Sequence, residues 1–201
     1  MGNSNRKDRW LTAEAQAVDT VLNRINHNEE INSRESRGDV AKISRIAGRL
    51  PSDDSRATSV AIQLLSAAGL PLKEDYGDDG LTNGERAAVI ALSLAAVAER
   101  QSYAPNGYDF GHCIGEAARK DPEGSIGDIM KSITYDADLA SLSYDLSRAV
   151  RRLNGVKIDF AVLTNDLIRF QNPDKRQRVI NCWVKDYYRT LNTKIQEGKE
   201  E

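Results

Sequence analysis

Histidine and cysteine are nearly missing from this chain. Its 201 residues hold two histidines, His27 and His112, and two cysteines, Cys113 and Cys182. Two cysteines exclude a disulfide framework and read as reduced, half-buried thiols of a cytosolic protein. His112 lies directly beside Cys113, which is the wrong spacing for shared ligation, so no zinc site is expected. The same scarcity limits catalysis. A nucleophile needs a base and an orienting group, and His112–Cys113 is the one tempting pair. Adjacent residues on a helix point about 100° apart and do not face each other. A Gly-Lys-Ser/Thr phosphate loop and a dinucleotide fingerprint are both absent. The paired carboxylates Asp53–Asp54 and Asp78–Asp79 suit caps and loops. We therefore expect a binding protein, not an enzyme, with no cofactor.

Long apolar runs are missing too. No segment reaches the roughly 18 apolar residues of a membrane span. The opening MGNSNRKDRW has no apolar signal core. It starts Met-Gly, but Arg6 stands where a myristoylation signal needs Ser or Thr. Residues 1–9 read as a disordered polar tail, and the expected location is the cytoplasm. Residues 70–83 form an acidic loop. Asp75, Asp78 and Asp79 do not fit the alternating ligands of a calcium loop.

Aromatics make up only 6% of the chain. Alanine and leucine are plentiful, which favours helices over strands. No strand alternation lasts more than a few residues. We expect an all-α fold, a compact bundle of about eight or nine helices, divisible into lobes at 10–104 and 105–196. Thr12 is the cap expected for the first helix, in which Ala15, Val18, Leu22 and Ile25 recur at helical steps. Residues 26–38 read as a loop, followed by a short helix closed by Gly48 and Pro51. Ser52 is the expected cap of the next helix, which ends at Gly69. The stretch NGERAAVIALSLAAVAERQ is apolar on every side and should be central. Beyond the Pro105–Gly107 break, helices are expected over 109–120, 123–134, 137–153 and 159–170. A last one starts at Pro173 behind the cap Asn172 and runs to about Thr193.

Charge is unevenly spread. Residues 145–194 carry eleven basic and five acidic side chains, net +6, in a chain of net −2, which leaves −8 elsewhere. This asymmetry points to a polyanionic partner at one end. In the helix over 137–153, Leu142, Leu146, Ala149, Val150 and Leu153 share the apolar face, and Arg148, Arg151 and Arg152 lie opposite. In the last helix Val179, Ile180, Trp183, Val184 and Tyr187 form the stripe expected to be buried. Arg178, Lys185 and Arg189 run along another face. Trp183 and Tyr187 therefore read as core, not as base-stacking groups, and Tyr188 is less constrained. A smaller basic set lies upstream at Arg34, Arg37, Lys42, Arg45 and Arg49.

The segment GVKIDFAVLTNDLIRFQNPDKRQRVINCWVKDYYR resembles the C-terminal signature of the CasB family, the small subunit of the type I-E CRISPR surveillance complex, Cascade. The segments DFGHCIGEA and GDVAKISRIAG resemble two earlier family motifs, and order and spacing agree over about residues 38–190. The resemblance implies an all-helical, non-catalytic subunit present in two copies. It would contact the backbone and large subunits and the guide RNA. Its basic surface would hold the target and displaced DNA strands, so stabilising the R-loop. Carried over by position, Arg45, Arg148, Arg176 and Arg178 match family basic residues. His112 and Ser44 stand where the family has Arg, and Lys42, Arg49 and Lys131 are the cations that would compensate. With Arg151, Arg152, Lys185 and Arg189, these make up the candidate nucleic-acid-binding set. Two readings remain open beside it: a purely structural bridge without DNA contact, and an unrelated helical regulator.

Overall fold

The computed structural model describes residues 11–27, 34–73, 79–98, 108–136, 138–153 and 155–197. The polar tail, the Pro105 boundary between the expected lobes, and Asp75 and Asp78 of the acidic loop lie outside them. Among the described residues are nine α-helices: α1 Ala13–His27, α2 Arg34–Ile43, α3 Ser55–Ala67, α4 Asn83–Val97, α5 Phe110–Lys120, α6 Ile126–Ile133, α7 Leu139–Val150, α8 Phe160–Phe170 and α9 Pro173–Glu197. Two short 3-10 turns, Ser44–Ile46 and Pro51–Asp53, join α2 to α3. The fold is all-α, and among the described residues a parallel bridge pairs Tyr108 with Ile158. No helix among the described residues is long and apolar enough to cross a membrane.

Helix starts follow side-chain chemistry. Thr12 accepts from the Ala15 amide (3.3 Å). Thr82 and Glu85 form a reciprocal capping box on α4, and Asp109, Asp138 and Asp159 cap α5, α7 and α8. Each satisfies amides that the first helical turn leaves without partners. Three expectations needed correction. The cap of α3 is Asp54, not Ser52: Pro51 sets a 3-10 turn, the Asp53 carboxylate takes the Leu50 amide (3.0 Å), and Asp54 takes the Ala57 amide (3.0 Å). Helix α2 begins at Arg34, inside the stretch read as loop. Gly38 reads as a stop, but it is an interior helical glycine whose cost neighbouring good helix formers offset. Helix α9 runs one turn past Thr193, to Glu197.

One cluster of buried apolar side chains extends from Ala17 in α1 to Tyr187 in α9. Helix α4 lies within it: Ala87 through Leu92, and Leu94, are all buried, as a helix apolar on every side requires. Its buried polar groups are satisfied. Glu85 accepts from the Thr82 amide (2.9 Å) and the Lys73 amide (3.1 Å), and Ser93 donates to the Ile90 carbonyl (2.7 Å). Helices α1, α3 and α8 pack around α4.

Helix α5 lies along α9 at very close range. A Cβ on Gly111 would sit 2.3 Å from the Trp183 carbonyl oxygen, and one on Gly115 would sit 2.7 Å from Thr190 Cβ. The two glycines are one turn apart on the face toward α9, so the backbones approach where no side chain could fit. This contact sets the position of α9 and of its basic face. Trp183 is buried as expected, tilted against Phe110 at 4.8 Å, and its indole N–H donates to Asp166 (2.9 Å).

Candidate nucleic-acid interface

The eleven expected basic residues all reach solvent. Arg148 and Arg176 are half-buried and the other nine are exposed. They fall into two kinds. Four are tied to an acid three residues away: Lys42 to Asp39 (3.0 Å), Lys131 to Asp128 (2.9 Å), Arg148 to Asp145 (2.7 Å) and Arg189 to Asp186 (2.8 Å). The pairs of Lys42, Lys131 and Arg189 are surface pairs worth little, so a polyanion can compete for those cations, whereas the Asp145 partner of Arg148 is buried and holds it in place. Arg45, Arg49, Arg151, Arg178 and Lys185 make no ion pair among the described residues. Arg152 donates to the Arg148 carbonyl (3.0 Å). Arg176 lies over the Phe170 ring, 5.0 Å from its centroid, and donates to the Phe170 carbonyl (3.3 Å). The side chains of Arg34 and Arg37 lie outside the described set.

The fold brings two sequence-distant basic sets together. The turn after α2 packs against the middle of α7. Gly48 there has φ +86°, and a Cβ on it would lie 3.1 Å from Ser147 Cβ and 3.6 Å from Tyr144 Cα. Only glycine adopts that backbone without strain and also fits that gap. The Ser143 hydroxyl donates to the Arg49 carbonyl (3.3 Å), pinning the turn to α7. The turn that carries Arg49, with Arg45 just before it, therefore lies against the helix that carries Arg148; Arg151 and Arg152 fall in the turn that follows its end at Val150, not on the helix as expected.

A second group forms around α6 and α9. Lys131 lies within electrostatic range of Tyr187 and Tyr188, and its hydrogen bond to Asp128 raises its pKa, so it stays a cation. Tyr188 is exposed and meets Tyr187 edge-on at 5.0 Å. Arg178, Lys185 and Arg189 follow on the outer face of α9.

Sequence reasoning missed Tyr144. It is 59% exposed, with the Arg148 guanidinium 5.6 Å from its ring centroid. Its four-residue spacing from Arg148 on a helix with a known apolar face was the available signal.

The two departures from the family pattern have local roles. His112 stacks on Tyr108 (3.9 Å between centroids), and its Nδ1 lies 2.9 Å from the Thr190 hydroxyl, joining α5 to α9. Ser44 donates to the Ala41 carbonyl (2.8 Å).

Nor are the cysteines both half-buried. Cys113 is fully buried on the inner face of α5 and Cys182 is exposed on α9. Burial, with Asp109 nearby, drives the Cys113 thiol pKa well up, and its sulfur lies 3.4 Å from the Lys157 carbonyl. In the acidic loop, Asp79 is held by Arg86 (2.6 and 2.8 Å), whose hydrogen bond lowers its pKa. Asp79 is thus engaged within the chain. No group of three potential metal ligands comes together among the described residues.

Solved structures share this fold. CasB from Thermobifida fusca matches with a TM-score of 0.65 at 19% identity, over 89% of this chain and 99% of that one. A Cse2-family protein from Thermus thermophilus matches at 0.62 and 21%, over 89% and 99%. A chain of a CRISPR RNA-guided surveillance complex matches at 0.65 and 22%, over 92% and 99%. No curated protein matches the chain by sequence. The family model for CRISPR-associated protein Cse2 matches residues 39–188, most of the chain, and the protein belongs to that family.

Proposed function

We propose that this protein is a non-catalytic subunit of the type I-E Cascade surveillance complex. In that reading it binds nucleic acid through its basic helical surfaces and stabilises the R-loop on target DNA. Its partners are the backbone and large subunits, the guide RNA, a second copy of itself, and the target and displaced strands, in the cytoplasm. The observation that carries the reading is the packing of the Gly48–Arg49 turn, which follows Arg45, against α7, the helix that carries Arg148 and leads into Arg151 and Arg152. Family membership and the full-length likeness to a chain of a surveillance complex support it.

The mechanism is electrostatic. Phosphate contacts supply affinity and salt dependence without reading sequence. Guide pairing supplies the specificity. Because R-loop formation is nearly balanced, a few backbone contacts suffice to tip it. Arginines fixed in position, such as Arg148 on the buried Asp145, lose little freedom when they meet a phosphate.

The test is the lifetime of the R-loop on the assembled complex. Changing Arg148, Arg152 and Arg178 together to Glu should shorten it and weaken target binding. An unchanged lifetime alongside weakened assembly would mean that these faces meet protein, as in a purely structural bridge.

A further inference from the structure

We infer that Tyr144 is a stacking platform for an unpaired base, and that the arginines around it hold the adjoining phosphates. This corner of the molecule would then favour single-stranded over double-stranded nucleic acid. The inference rests on the proposed function and adds to it a strand preference and the residue that sets it.

Tyr144 lies mid-helix on α7, whose inner face is closed by Leu142, Leu146, Ala149 and Val150. Its ring can only point outward, and more than half of the residue is in solvent. A large apolar ring left in water beside cations matches what single-strand binders use: aromatic faces for bases and positive charge for the backbone. One cation stands over the ring and a second is carried by the turn packed against the same helix. Arg148 stands one turn along α7, anchored by its 2.7 Å bond to the buried Asp145. The Gly48 turn packs onto the Tyr144 backbone and carries the exposed Arg49, which forms no ion pair among the described residues. Glycine at position 48 lets that turn close against the α7 backbone at Tyr144 and Ser147.

The other strongly exposed aromatics lack this setting. Tyr135 is 86% exposed, but no cation stands over its ring among the described residues. Tyr188 already spends one edge on Tyr187. A duplex keeps its bases stacked inside and offers only phosphates, so it could use the arginines but not the ring.

The experiment uses the full-length protein with an oligodeoxynucleotide carrying a single 2-aminopurine, whose fluorescence is quenched by stacking, and with the same sequence as a duplex. Tyr144→Ala should weaken single-strand binding about tenfold and abolish the quenching. Duplex affinity and its salt dependence should not change. Tyr144→Phe should retain both single-strand affinity and quenching, and Tyr135→Ala should match the parent. Because Tyr144 is exposed, its variants should keep the parent's melting temperature. Equal loss on both strand forms, quenching that persists in Tyr144→Ala, or the same loss in Tyr135→Ala would overturn the inference while leaving the proposed function standing. Failed subunit assembly with intact DNA binding in Tyr144→Ala would assign the ring to a protein neighbour and overturn it too. If the parent binds neither strand form, alone or assembled, the proposed function falls with it.

Discussion

Adding one methyl group at Gly111 should unseat α9, whereas the same change at Gly38 should do no harm. At Gly111 the new Cβ would lie 2.3 Å from the Trp183 carbonyl oxygen and 2.7 Å from its Cα. Ordinary contact begins near 3.4 Å, so the helices must part by about 1 Å. The obstacle is backbone held in the α9 hydrogen-bond ladder, so no rotamer change relieves it. Overpacking costs about 1–3 kcal/mol, and a rigid obstacle puts Gly111→Ala at the upper end of that range. Removing a helical glycine returns up to about 1 kcal/mol. The net is a loss of about 2 kcal/mol, or about 4–8 °C in melting temperature for a chain of this size. At Gly38 nothing lies within 4 Å, so only the gain remains, up to about 1 kcal/mol. Thermal and urea unfolding of both variants beside the parent measure the pair. If Gly111→Ala melts at or above the parent, the α5–α9 approach is not what this geometry says. If both variants fall equally, glycine itself, not its surroundings, is responsible.

Two further outcomes follow from buried ionisable groups. Asp136 is desolvated and lies near Asp145, which raises its pKa to about 6, and its Oδ2 atom is buried without a partner among the described residues. A raised carboxyl pKa means the folded protein holds that proton more tightly than the unfolded chain, so stability falls as pH rises through about 6. Asp136→Asn should therefore raise the melting temperature at pH 8 and match the parent near pH 4; a constant offset across that range would refute the assignment. The thiols should also differ. In the native protein a thiol reagent such as Ellman's should modify Cys182 quickly and leave Cys113 untouched until the chain unfolds. Rapid reaction of both would contradict the burial of Cys113.

Much of this architecture is legible in the sequence, because helix signals are local. The caps Thr12 and Asn172, the all-round apolar character of α4 and the Trp183 stripe on α9 each declare themselves within a few residues. The contrast between the inner leucines and outer arginines of α7 is equally local. The failures occur where local signals compete or where distant segments meet. Ser52 and Asp54 both look like caps, and Pro51 decides between them by setting a 3-10 turn first. Gly111 and Gly115 look like weak points in a short helix until α9 is seen against them. The basic candidates could be named one by one, but no periodicity shows that Gly48 seats Arg49 beside α7, more than ninety residues along the chain. Tyr144 did carry a local signal, its four-residue spacing from Arg148, but nothing in that spacing shows the turn that packs on its backbone.

The most direct test of nucleic-acid holding is the salt dependence of target binding by the assembled complex. Each phosphate neutralised contributes about 0.9 to the log–log slope on duplex DNA and about 0.7 on single strands. Changing Arg148, Arg152 and Arg178 together to Glu should flatten the slope by about 2–3 and weaken binding most at low salt. Parallel lines of equal affinity for parent and variant would contradict a role for these surfaces in holding DNA.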